Sequence, residues 1–163
     1  MKPISKIRKA RQKGAELVEA SLVAVPLFAM TFLLVDLSMV IYLRSTFQQA
    51  VREGVRYAIT GQNTVGPCQD DSIKSIVKTN AGGWLNSTAA GNTIHVRFLS
   101  PVNGAATDNN SGNIVEVSVE SYVYGPLAPY QRVNLPVQLT ARAYEVMEKL
   151  PSALPCLSAS VNQ

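Results

Sequence analysis

The stretch Lys13–Ser45, KGAELVEASLVAVPLFAMTFLLVDLSMVIYLRS, decides how the rest of the chain is read. From Ala20 to Leu43 it carries a single charge, Asp36. Such a run is long enough for a helix across a hydrocarbon core of about 30 Å. Ahead of it stand Lys2, Lys6, Arg8, Lys9, Arg11 and Lys13, with no acid among them. Just beyond it come only Arg44, Arg52 and Arg56, offset in part by Glu53. This asymmetry predicts a single-pass helix with its N-terminus in the cytoplasm and everything after Arg44 outside. A cleaved secretory signal fits poorly, because the apolar run exceeds the usual core length and no A-x-A site follows it.

The net charge of +4 belongs to the basic head. After Gly14 the chain carries nine Lys or Arg against eleven Asp or Glu, so the bulk of it is slightly acidic. That distribution argues against a nucleic-acid face. At 163 residues, one modest domain plus an anchor is expected.

The helical pattern continues past Arg44. In STFQQAVREGVRYAIT, the residues Phe47, Val51, Val55, Ala58 and Ile59 recur at three- and four-residue steps, and Gly61 supplies a stop. One helix from near Glu16 to Thr60 is predicted, with a kink or loosening at Pro26, which lacks the N–H donor. Glu16 and Glu19 then read as carboxylates at the positive end of its dipole. Asp36 is deeper, and a carboxylate there calls for a partner, with a second helix as one candidate and a purely structural role as the other.

The rest predicts an α+β domain. DDSIKSIVKTNAGGWL offers Asp70 or Asp71 as a cap, places Ile73, Ile76, Val77 and Trp84 on one face, and ends near Gly82. TIHVRFL, NIVEVSVESYVY and VQLTARAYEV alternate apolar and polar residues, as strands with one wet face do. Polar SPVNGAATDNNSGN and Pro-bounded GPLAPYQRVNLP connect them. The expected order is α-α-β-β-β, a three-stranded antiparallel meander packed on the short helix, with the end of the long helix as a further cover. Cys68 and Cys156 both fall outside the membrane in this topology, which points to one disulfide, two free thiols being the alternative.

Catalytic signals are sparse. His95, the single histidine, falls on the polar side of a strand, and two cysteines with one histidine give no zinc spacing. There is no Gly-rich phosphate loop and no nucleophile elbow. No cofactor, metal, catalytic residue or small-molecule substrate is therefore expected. Asn86-Ser87-Thr88 and Asn109-Asn110-Ser111 match glycosylation acceptor patterns and read as polar loops.

The basic leader ending in Gly14, then Ala15, then Glu19 as the fifth residue after Gly14, the apolar helix, and QQAVREGVRYA at its far end together resemble the TadE-like minor pilins of the tight-adherence (Tad) type IV pilus system. The resemblance implies cleavage between Gly14 and Ala15 by a membrane-embedded prepilin peptidase, with the apolar segment retained. It implies that Glu19 pairs with the N-terminal amine of a neighbouring subunit, an arrangement that offsets the cost of a carboxylate in hydrocarbon. Relatives usually carry an aromatic residue after this glutamate, and here Ala20 stands in its place. The implied organisation is a basic cytoplasmic leader over 1–14, a transmembrane and amphipathic helix over 15–60, and a periplasmic α+β domain over 61–163. The implied partners are the bacterial inner membrane, the peptidase, other pilins and the assembly platform. The competing expectation is a periplasmic binding or enzyme domain for which the helix is only a tether.

Overall fold

A computed structural model describes residues 4–62, 68–125, 136–149 and 156–157, with side chains from residue 14 onward. Residues 126–135 of the loop GPLAPYQRVNLP and most of the tail after Pro151 lie outside the described residues. The elements are α1 (Ile4–Ile59), α2 (Gln69–Asn80), α3 (Thr88–Gly91), β1 (Ile94–Leu99), β2 (Ile114–Tyr124) and β3 (Val137–Val146). This is the expected α+β plan, with one single-turn helix added.

α1 is about 84 Å long at 1.5 Å per residue, and it starts earlier than its apolar pattern predicts. The leader is rich in Lys, Arg, Gln and Ala, good helix formers with no Pro or Gly to stop them between Ile4 and Lys13. Its first turn contains no acid. Glu16 and Glu19 therefore sit inside a continuous helix, and the expectation that they meet its positive end does not hold for the uncut chain. Pro26 is accommodated within the same helix. The C-terminal stop is as expected: Gly61 takes φ +64°, and its N–H donates to the carbonyl of Ala58 at 3.0 Å.

The covered face of α1 begins at Asp36. That residue is 5 % exposed, and Met39, Val40, Leu43, Phe47, Val51, Val55 and Ala58 continue the same stripe at three- and four-residue steps. α1 packs on β2, β3 and α2, while α2 reaches β1. The long helix is thus the principal cover of the sheet, and the short helix fills one side. At the crossing, a Cβ built on Gly54 would lie 2.6 Å from Val77 Cγ2 and 3.4 Å from Val117 Cγ1.

α2 is capped differently from its predicted start. Cys68 holds the N-cap in an extended conformation without a side-chain hydrogen bond, and Asp70 and Asp71 lie in the first turn, where carboxylates favour the dipole. Ile73 and Val77 are fully buried. α3 escaped the sequence reading because it is one turn long; Ser87 caps it by accepting from the N–H of Ala90 at 3.2 Å.

The strands form an antiparallel meander in the order β1-β2-β3. Val115, Val117 and Val119 face the helices and are fully buried. Their alternation would place Tyr122 and Tyr124 on the opposite face, yet both turn inward. Between Val119↔Ala141 and Tyr122↔Leu139 the register slips by one residue, and Ser121 adopts φ +57° there. This bulge reverses the parity of β2. It brings the Tyr122 ring edge-on to Phe47, centroids 4.9 Å apart, and burial pushes the Tyr122 hydroxyl above its ordinary pKa.

Candidate assembly and membrane interface

Among the described residues, the stretch of α1 from Gly14 to Val35 contains no buried residue. Leu17, Leu22, Val25, Phe28, Met30 and Leu34 are all more than half exposed, and the uncovered apolar run from Leu17 to Val35 spans about 28 Å. That length matches a hydrocarbon core. The run overlaps the expected span Ala20–Leu43 over residues 20–35, while from Asp36 onward one face of the helix carries the α+β domain. Hydroxyls within the run are satisfied by the helix itself. Ser21 donates to the Val18 carbonyl at 2.8 Å and Thr31 to that of Leu27 at 2.9 Å; Ser38, just past the run, donates to that of Leu34 at 2.7 Å.

Asp36 closes this surface. It is flanked by the exposed Val35 and Leu37 but is itself buried and engaged within the same chain. Burial of Asp36 thus needs no second helix, and the residue marks where uncovered helix gives way to domain-facing helix. Gly14, Ala15, Glu16 and Glu19 are exposed on α1, and a side chain at Gly14 would meet nothing within 4 Å. Glu19 and Asp36 lie about 26 Å apart along the axis, so the structure does not bring them together.

Cys68 and Cys156, 88 positions apart in sequence, are joined, with Cα atoms 4.7 Å apart. Beside them the Gln69 N–H donates to the Cys156 carbonyl at 2.9 Å. The Gln69 amide donates to the Ala58 carbonyl at 3.0 Å and accepts from Asn109 at 2.7 Å. This buried junction ties the last turn of α1 to α2, the tail and the β1–β2 connection. Sequence reasoning missed it, because Asn109 sits in a loop that reads as polar and solvated yet is only 3 % exposed. Ligand atoms of Cys68, Asp70 and Asp71 lie within 4.8 Å of one another. The Cys68 sulfur is bonded to Cys156 and Asp70 is paired with Lys74 at 3.5 Å, which removes the thiolate that such a site would use.

The outer face of the sheet holds a charge network that the strand alternation implies only once the register is known. Arg97 Nη1 lies 2.8 Å from Glu120 Oε1 and 3.5 Å from Glu116 Oε1, and Arg142 Nη2 lies 3.2 Å from Glu120. Ser118 donates to Glu120 at 3.0 Å. The hydrogen bond from Arg97 outweighs burial and holds the Glu120 carboxyl below its ordinary 4.5. A depressed folded-state pKa contributes stability above about pH 4.5 and loses it as pH falls through the folded value. Glu120→Gln should flatten the decline of the melting temperature between pH 5 and 3. Its cost at neutral pH should be up to about 1 kcal/mol, as for other partly exposed ion pairs. Parallel thermal melts of both proteins check this; parallel declines would remove Glu120 from the account.

Residues 14–56 match the family model for TadE-like protein, about a quarter of the chain. The match covers the uncovered run, Asp36 and the domain-facing stripe as far as Arg56, and stops before α2. No curated protein and no solved structure matches.

Proposed function

We propose, on the premise that this is a TadE-like protein of the Tad pilus system, that it is a minor pilin or pseudopilin trimmed by a prepilin peptidase and used in assembling the pilus, with adhesion and biofilm formation as consequences. The observation that carries the reading is the division of α1 at Asp36. One end is a bare apolar rod of membrane length, and the other is the spine of an α+β domain. Such a molecule can slide its rod from lipid into a bundle of similar helices without repacking its domain.

In this reading residues 1–14 are a cytoplasmic leader, 15–60 the retained helix and 61–163 the periplasmic domain, and the protein stands in the bacterial inner membrane. Cutting between Gly14 and Ala15 places Glu16 in the first turn of the trimmed helix, next to unsatisfied N–H groups, so the dipole role denied to it in the uncut chain appears on processing. Glu19 enters the apolar environment with a charge that the new amine of a neighbouring subunit neutralises. The role is structural rather than catalytic.

Glu19→Leu is the test. Cleavage and membrane insertion should persist, while recovery of other Tad pilins with the purified protein should fall at least about tenfold, since breaking a buried charge pair costs several kcal/mol. Unchanged recovery would favour a helix that merely tethers a periplasmic domain.

A further inference from the structure

Along one edge β3 pairs with β2; among the described residues no strand pairs with its other edge. A free strand edge presents backbone donors and acceptors to any extended chain that approaches, and proteins usually blunt it with Pro or Lys. β3 contains neither, and it leaves Tyr144 76 % and Val146 54 % exposed. Beside the carboxyl half of the strand lies an open cleft of about 590 Å³ between β3 and α1. Val55, Ile59 and Ala143 give it apolar surface, and Arg52 and Arg56 line its helix side.

Those two arginines are exposed, one turn apart, and among the described residues neither has an ion-pair partner. Like charges at this spacing disfavour the helix that carries them, so an anionic occupant would relieve a repulsion. Arg142 also lines the cleft but is engaged by Glu116 and Glu120 on the outer sheet face. Glu53 and Glu145 are present too, so apart from the engaged Arg142 the formal charges of the lining balance, and selection for an acidic occupant rests on Arg52 and Arg56 along the helix side.

We propose that this cleft receives an extended, carboxylate-bearing peptide segment of another protein, which adds to β3 as a fourth strand and sets its acidic side chains against Arg52 and Arg56. The inference rests on the pilus reading only in naming the partner as another component of the assembly. Main-chain pairing supplies affinity, and the arginines supply register and selection for acidic sequence.

The test is hydrogen exchange on the full chain in detergent micelles. The probe is a peptide of about ten residues alternating threonine and glutamate, compared with its threonine–lysine counterpart. The glutamate peptide should slow exchange across residues 137–146 roughly fivefold or more, the lysine peptide should not, and Arg52→Glu with Arg56→Glu should reverse the preference. Exchange in β2 reports whether that variant is folded; if it is not, Arg52→Gln with Arg56→Gln should abolish the discrimination and serves instead. No slowing, equal slowing by both peptides, or discrimination that survives these substitutions would overturn the proposal. So would protection of β3 that rises with protein concentration alone, which would assign the edge to a second copy. N-terminal processing is scored separately, so an uncut leader with a glutamate-selective β3 would fail the pilus reading and leave this surface standing.

Discussion

Gly54→Leu should abolish cooperative unfolding of the α+β domain, and Gly54→Ala should already destabilise it by about 1–3 kcal/mol. At an exposed helix position, alanine in place of glycine stabilises by roughly 1 kcal/mol. At Gly54 the added carbon meets Val77 Cγ2 at 2.6 Å, with Val117 Cγ1 at 3.4 Å and Ile73 Cγ2 at 3.7 Å behind it. Three elements converge there, so no neighbour can retreat freely: Val77 and Ile73 are held by α2, Val117 by the central strand, and all are fully buried. Overpacking therefore exceeds the gain in helix propensity. Thermal melts followed by near-UV circular dichroism, in detergent, read the loss directly. Val77→Ala should restore most of the stability of Gly54→Ala, because the two sites touch and their effects do not add. A Gly54→Ala protein as stable as the parent would show that α1 and α2 do not cross this closely.

Replacing Cys68 and Cys156 by serine should lower stability by about 2–4 kcal/mol and the melting temperature by roughly 10 °C. The bond closes a loop of 88 residues in sequence, so it restricts the unfolded chain strongly. In the folded protein it also positions the carbonyl of Cys156 for the Gln69 N–H, and Gln69 in turn holds the Ala58 carbonyl and the Asn109 amide. Loss of the bridge should thus be felt as faster hydrogen exchange in the last turn of α1 and at the start of α2, while β1 and β2 keep their protection at low temperature. Melting curves with and without reductant check the first part, and site-resolved exchange checks the second. Equal melting temperatures would show the bridge to be dispensable.

The strands were legible because each alternates apolar and polar residues over most of its length, a pattern that period 2 alone explains. The inward turn of Tyr122 and Tyr124 was not: the adjacent polar pair Glu120-Ser121 interrupts the alternation, but a bulge is a property of two strands in register. The outer network of Arg97, Glu116, Glu120 and Arg142 was hidden for the same reason: its members lie on three strands whose pairing sets who meets whom. Along α1 the apolar face could be followed from Phe47 to Ile59. What the sequence conceals is the side on which it is covered and by what, so Asp36 reads there as a carboxylate in want of a partner, with a second helix or a purely structural role both open. In the structure Asp36 opens the buried stripe. Gly54 reads as an unremarkable helix glycine until its surroundings are known, where an added Cβ would lie 2.6 Å from Val77 Cγ2.

The central claim is that α1 is a retained pilin-type helix cut at its cytoplasmic end, and the N-terminus of the protein recovered from the membrane fraction tests it most directly. Sequencing or intact mass should show a chain that begins at Ala15, lacks residues 1–14 and keeps the whole run from Leu17 to Val35. A chain that still begins at Met1, or one cut beyond about Val40 with the apolar run removed, would contradict it.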